Sequence, residues 1–245
     1  MKVIVVASGK GGTGKTSLSA GVSAALAQLG RRVLVIDGDS GLRNLDIVLG
    51  LSDSVVFSFD DVARGVVSLQ KAAAAHPLQP GLFMLTAPSS VPALAESGIR
   101  LLGAQAEEMG FDYVIIDGPA GLAPELRAFA SIATQGIVIT TPEGASLRGA
   151  ERVARLLEEE NIMRIRLVVN RLRTQLVRHG LASNIDDAMD TAGLPLLGIV
   201  PEDEDVIACG NSGKLVIDCK RAGAALAYRN IARRLEGERL PIMRL

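Results

Sequence analysis

Gly9-Lys10-Gly11-Gly12-Thr13-Gly14-Lys15-Thr16 fits the pattern GxxxxGK[ST]. Residues of these types at this spacing bind phosphate. The glycines let the backbone bend until successive N–H groups point at phosphate oxygens. A helix opening near Lys15 would add the positive end of its dipole. Lys15 is placed to reach the β and γ phosphates of a nucleotide, and the Thr16 hydroxyl to ligate Mg2+. Lys10 adds a second cation to the same tight loop. Two such charges repel unless an anion lies between them, which implies high phosphate charge at this loop. The plainer alternative for Lys10 is a solvated surface lysine.

Carboxylates follow at the ends of apolar runs. Val114-Ile115-Ile116 delivers Asp117, a pattern that brings a carboxylate to a metal-bound water. Asp37 and Asp39 end the run before them, where the carboxyl ends of parallel strands face a ligand crevice. Asp is also a common turn and cap residue, the competing reading for all three. Asn170-Arg171-Leu172-Arg173 follows Leu167-Val168-Val169, and it lacks the carboxylate that guanine-specific sites place after an Asn-Lys pair.

The elements that must hold these residues are legible as alternation. Strand-length runs cover residues 2–7, 32–36, 82–85, 113–116, 136–140, 166–169 and 196–200. Most are continuous rather than alternating, as in strands buried on both faces of a parallel sheet. Between them lie helical patterns. In 16–29, Leu18, Val22, Ala25, Leu26 and Leu29 share one face, and Gly30 stops the helix. Leu147, Ala150, Ala154 and Leu157 form the stripe of 145–159, with Arg148, Arg152 and Arg155 opposite. Tyr228, Ile231 and Leu235 share one side of 222–236. Strand–helix alternation throughout implies a three-layer α/β fold.

Composition bounds the rest. The chain has 245 residues, 26 Lys+Arg against 27 Asp+Glu, 48% hydrophobic residues and no Trp. That excludes disorder, a general pull toward nucleic acid or anionic lipid, and aromatic stacking platforms. No apolar run reaches the roughly 20 residues that span a bilayer. Strand-like sequence starts at residue 2, which predicts a cytoplasmic protein without a signal peptide. Cys209 and Cys219 read as separate thiols of a reducing compartment, without iron–sulfur spacing. His76 and His179 read as structural.

The segment Lys10–Thr16, KGGTGKT, resembles the signature of the MinD/ParA deviant Walker A P-loop ATPases. The resemblance extends through residues 35–46, through Asp117-Gly118-Pro119-Ala120-Gly121, and through residues 198–203. Gly41-Leu42-Arg43-Asn44-Leu45-Asp46 is similar to the MinD branch in particular. The likeness runs from residue 2 to about 236. It implies a single P-loop NTPase domain, a mostly parallel twisted sheet flanked by helices, over residues 1–236 and a short tail over 237–245.

It also implies site roles. Lys10 would be the signature lysine that reaches across an ATP-bound homodimer to the partner's phosphates. Lys10, Lys15, Asp39 and Asn44 would be catalytic, Asp39 through the attacking water. Gly9, Gly11, Gly12, Thr13, Gly14 and Ser17 would complete the phosphate site. Thr16, Asp37 and Asp117 would serve Mg2+. Gly118–Gly121 would be a second switch loop. Asn170 would hydrogen-bond adenine, Arg171 would stack near the ring, and Pro201, Glu202 and Asp203 would cover its other side, largely through backbone. ATP would be hydrolysed to ADP and phosphate, with a regulatory protein stimulating turnover.

Relatives on this branch end in an amphipathic membrane-binding helix. Here Pro241 opposes one, and only Leu240, Ile242, Met243 and Leu245 are suited to lipid. Residues 148–178 carry eight Arg against four Glu. A ParA-like DNA-partition ATPase, an FlhG-like flagellar-number regulator and a small-molecule P-loop kinase are the competing readings.

Overall fold

Alternate residues of the first strand belong to opposite cores. Val3, Val5 and Ala7 pack into one apolar cluster, while Ile4 and Val6 pack into the other. A strand covered on both faces has no polar side to show, so its sequence reads as a continuous Val/Ile run. The computed structural model describes residues 1–40, 43–90, 95–219 and 222–242.

In chain order, β1 (Lys2–Ser8) leads into α1 (Lys15–Gln28) and β2 (Val33–Asp37). Three short helices follow, α2 (Leu45–Val48), α3 (Phe59–Ala63) and α4 (Leu69–Ala72). Next come β3 (Ala74–Ala75), β4 (Leu82–Leu85), α5 (Glu96–Glu108), β5 (Tyr113–Ala120) and α6 (Pro124–Ala130). β6 (Gln135–Thr140), α7 (Gly144–Glu159), β7 (Ile165–Leu172), α8 (Thr174–Arg178) and α9 (Ile185–Ala192) continue the chain. It closes with β8 (Leu196–Pro201), α10 (Glu204–Asn211), α11 (Val216–Cys219) and α12 (Gly223–Leu235).

Among the described residues these strands form one eight-stranded sheet in the order β3-β4-β2-β5-β1-β6-β7-β8. Every pairing is parallel except β3 with β4. All seven expected strands are present. The two-residue edge strand β3 lies within Ala72–Ala75, too short to carry a periodic signal.

Two expectations about helices are refined. Leu29 lies past the end of α1 and is 44% exposed, while α1 itself is buried on nearly every side, Ser19 and Ser23 included. A helix sandwiched between sheet and helices has no single apolar stripe. Its close neighbour is α12: a Cβ on Gly21 would fall 2.2 Å from the Tyr228 ring. Tyr228, Ile231 and Leu235 are buried together as expected, and so is the stripe of α7.

Two further expectations are corrected. Residues 118–120 continue β5 rather than forming a loop, and Gly121 (φ 73°) makes the turn. Gly118 fits because a Cβ there would meet the Val6 carbonyl at 2.6 Å. Cys209 and Cys219 are joined as a disulfide, not separate thiols, because the turn between α10 and α11 brings them together. His76 is structural: its Nδ1 accepts from the backbone N–H of Leu78 and Gln79, so the proton sits on Nε2, which donates to Leu49 O at 3.1 Å. No helix among the described residues is long and apolar enough to cross a membrane.

Candidate functional site

The loop between β1 and α1 sits at the carboxyl edge of the central strand. Gly12 (φ 78°) and Gly14 (φ 94°) adopt left-handed backbone that favours glycine. A Cβ on Gly14 would lie 2.3 Å from the Asn170 amide, and one on Gly9 would lie 2.2 Å from the Gly149 backbone. Above Gly11 and Gly12 nothing approaches within 4 Å. The loop is therefore braced from beneath and open above, as a phosphate cradle must be. Thr13 Oγ1 is buried without a hydrogen-bond partner, a donor that a phosphate oxygen would satisfy.

The two lysines differ. Lys15 is 7% exposed, and its Nζ donates to Ser8 Oγ at 3.2 Å, which in turn donates to Lys10 O at 2.8 Å. Burial pulls its pKa down, against the opposing charges of Asp117 and Asp39. Lys10 is exposed on the rim.

Asp37 and Asp117 face each other in the β2–β5 register, and both are about 1% exposed. Burial raises Asp37 to about 6, although its oxygens accept from Asp39 N (3.1 Å) and Leu45 N (3.2 Å). Burial raises Asp117 to about 7. The Asp37 charge adds to this, while hydrogen bonds from Thr16 and Ser19 and the Lys15 charge oppose it. Ser19 Oγ donates to Asp117 Oδ1 at 3.0 Å. Asp39 is half-buried, and burial lifts its pKa, countered by Lys15 and reinforced by Glu125.

No cluster of three or more His, Cys, Asp or Glu among the described residues forms a metal cage. Thr16 beside Asp117 and Asp37 is instead a sparse oxygen set. Such a set suits Mg2+, which takes its other ligands from water and phosphate.

A cleft of about 500 Å³ opens beside the loop, lined by Lys10–Thr13, Thr141–Glu143, Arg171, Arg173, Leu176 and Glu202. Arg171 takes a left-handed φ of 53° where the β7–β8 register shifts. Non-glycine residues at such angles are uncommon and gather at functional sites. The structure gives four of the expected base-site residues further surroundings. The Asn170 amide nitrogen donates to Thr13 O at 2.7 Å and so braces the phosphate loop, leaving its carbonyl oxygen as the atom suited to a base amine. The Glu202 side chain is ion-paired with Arg173 on the rim. Asp203 accepts from Asp205 N (3.0 Å) and Ala224 N (2.9 Å), capping α10 and holding the start of α12. Pro201 ends β8 opposite Leu172 and does not line the cleft.

Ser17 lines a slot between α1, α2 and α10 rather than the cleft. Asn44 is exposed at the N-cap of α2 without a side-chain cap bond. Gly41 and Leu42 lie outside the described residues, as do Met243 and Leu245 of the tail. Sequence reasoning missed Ser8, Ser19 and Gly149. Ser19 was within reach of it, because it stands three residues after Thr16 on one helical face. Gly149 carries no comparable signal.

A phosphate loop at the carboxyl edge of a parallel sheet, a buried lysine and a buried carboxylate on the adjoining strand define a P-loop nucleotide-binding protein. The family model for the CobQ/CobB/MinD/ParA nucleotide-binding domain matches residues 4–216, and the chain belongs to this MinD/ParA family. It is 42% identical to the septum site-determining protein MinD of Synechocystis over 245 residues, covering 99% of this chain and 92% of that protein. The MinD cell division protein of Aquifex aeolicus, in a MinC:MinD complex, superposes with TM-score 0.93 at 33% identity, over 100% of this chain and 99% of the other. MinD of Pyrococcus horikoshii complexed with Mg-ADP gives TM-score 0.81 at 28% identity, with 96% of each chain covered.

Proposed function

We propose that this chain hydrolyses ATP to ADP and phosphate, and that ATP joins two copies into a dimer acting as a switch in division-site selection. One observation carries the reading: a single loop holds one buried lysine and one exposed lysine. Among the described residues the Lys10 side chain has no hydrogen bond or ion pair, so it is available to a second copy. Lys15 serves the phosphates of its own chain. The Mg-ADP complex of the Pyrococcus relative supports the ligand, and the MinC:MinD complex of the Aquifex relative supports a regulatory protein partner of that kind.

In this reading the amides of Gly11–Thr16 and Lys15 hold the β and γ phosphates. Thr16 and Asp117 would hold Mg2+, while Asp37 sits behind them and fixes the Asp39 and Leu45 backbone. A bound Mg2+ would supply positive charge to offset that of the phosphates. Asp39 orients the attacking water beside Lys15, and Asn44 moves with the same switch segment. Arg171 and the Arg173–Glu202 pair flank the base, with the Asn170 carbonyl oxygen facing its amine. Lys10 of the second copy adds positive charge as the γ-phosphate departs.

Lys10→Ala is expected to bind nucleotide normally by fluorescence titration, and to lose both ATP-dependent dimerisation by light scattering and turnover by phosphate release. Unchanged turnover overturns the shared site. Asp39→Ala is expected to dimerise with ATP and hydrolyse it very slowly, and normal hydrolysis would remove Asp39 from its role. Adding anionic vesicles to the same series reads out membrane association of a cytoplasmic dimer.

A second reading rests on α7. Arg148 and Arg152 are exposed without an ion-pair partner among the described residues, whereas Arg155 pairs with Glu151 at 2.6 Å. A ParA-like protein would retain nonspecific DNA in its ATP-bound form, in a salt-dependent way. Loss of that retention on changing Arg148 and Arg152 to Glu would favour it.

A further inference from the structure

We infer that Ser19 is the positioning residue that aims the Asp117 carboxylate at the Mg2+ of the bound nucleotide, an inference that rests on the nucleotide reading above. Thr16 and Ser19 stand three residues apart in the first turns of α1, so both hydroxyls emerge on one helical face toward β5. Ser19 Oγ donates to Asp117 Oδ1 at 3.0 Å, while Thr16, one turn earlier, favours the charged form of the same carboxylate. Ser19 therefore supplies the side-chain hydrogen bond that holds the carboxylate, one helical turn beyond Thr16.

Their surroundings differ. Thr16 is partly exposed at the floor of the open loop, where a metal ion would sit. Ser19 is 0% exposed, one turn deeper, and touches nothing in the cleft. It can therefore act on the ion only through Asp117. No solvent reaches this position to replace the hydroxyl, and β5 offers Asp117 no alternative donor among the bonds described. Without Ser19 the carboxylate loses the hydrogen bond that fixes its plane. Residues that orient a metal-holding group typically change metal affinity about 10–100-fold when removed.

The experiment titrates ADP into wild-type protein, Ser19→Ala and Ser19→Thr by calorimetry, with Mg2+ and again with EDTA. Thermal unfolding in EDTA is followed alongside. Ser19→Ala is expected to leave the affinity for metal-free ADP within about twofold and to weaken Mg-ADP binding by about tenfold. Ser19→Thr restores the hydroxyl and most of the Mg2+ response. Equal losses with and without metal would mean that Ser19 only packs, and would overturn the inference. So would a Ser19→Ala protein with the wild-type Mg2+ response. A wild-type protein whose ADP binding ignores Mg2+ would instead overturn the nucleotide reading itself.

Discussion

Asp117 is a carboxylate with almost no solvent, next to a second carboxylate on the adjoining strand. Its pKa of about 7 in the folded chain stands well above the ordinary value. A raised carboxyl pKa means that the folded state binds the proton more tightly than the unfolded state. Stability should therefore fall as pH rises through the interval between about 4 and about 7. Asn mimics the protonated acid at every pH and keeps an oxygen for Ser19. Asp117→Asn is expected to stabilise the nucleotide-free protein at pH 8 in EDTA, with a gain that shrinks toward pH 4. Thermal unfolding of both proteins across that range checks it, and a gain independent of pH would show that burial is not the cause. Asn170 makes a second prediction at this scale. Its bond to Thr13 O is buried, and Asn170→Ala leaves that carbonyl without its donor, a loss of about 1–3 kcal/mol read by denaturant unfolding.

At the scale of elements, two joints connect the site to its scaffold. The first runs from β2 to α2. Asp37 accepts both the Asp39 and the Leu45 N–H, so one side chain spans the segment between strand and helix. Asp37→Asn turns one acceptor into an NH2 group facing an N–H. Faster hydrogen exchange at Leu45 is the expected result, together with a loss of about 1–3 kcal/mol. The second joint is α7 against the phosphate loop. A Cβ on Gly149 would come 3.0 Å from Gly9 Cα, and one on Gly9 would fall within 2.3 Å of Gly149 backbone. Gly9→Ala is accordingly expected to abolish nucleotide binding, and Gly149→Ala to weaken it, both measured by calorimetry. The short helices α2, α3 and α4 were not read from the sequence because four or five residues give too few turns for a period to show. α3 did carry a local signal, the Ser58–Asp61 capping box.

At the scale of the molecule, the last helix closes the fold over the first. Lys2 Nζ donates to Tyr113 Oη (2.7 Å) and Leu235 O (3.0 Å), tying β1 to the end of α12. Arg234 donates to Leu197 O (2.9 Å) and to Pro241 O (2.7 Å), so the tail up to Pro241 is held against β8. Tyr228 fills the space that Gly21 leaves in α1. Tyr228→Ala empties that space at a cost of roughly 3–5 kcal/mol, lowering Tm by roughly 6–20 °C in a chain of this length. A drop of under 2 °C would mean that the two helices close the gap by themselves.

The residues of Gly9–Thr16, the places of Asp37 and Asp117 after apolar runs and the strand–helix alternation were all present in the one-dimensional chain. Each is a local consequence of chemistry or of periodicity within a few residues. Which distant residues meet was settled by the sheet. Its order places β5 between β2 and β1, so Asp37 and Asp117 become neighbours across eighty positions of chain. The same packing sets Asn170 under Thr13, Gly149 against Gly9, Asp203 on the first turn of α12, and Cys209 beside Cys219. None of these pairs leaves a mark on spacing, because a contact between separate elements depends on strand order and crossing geometry rather than on distance along the chain.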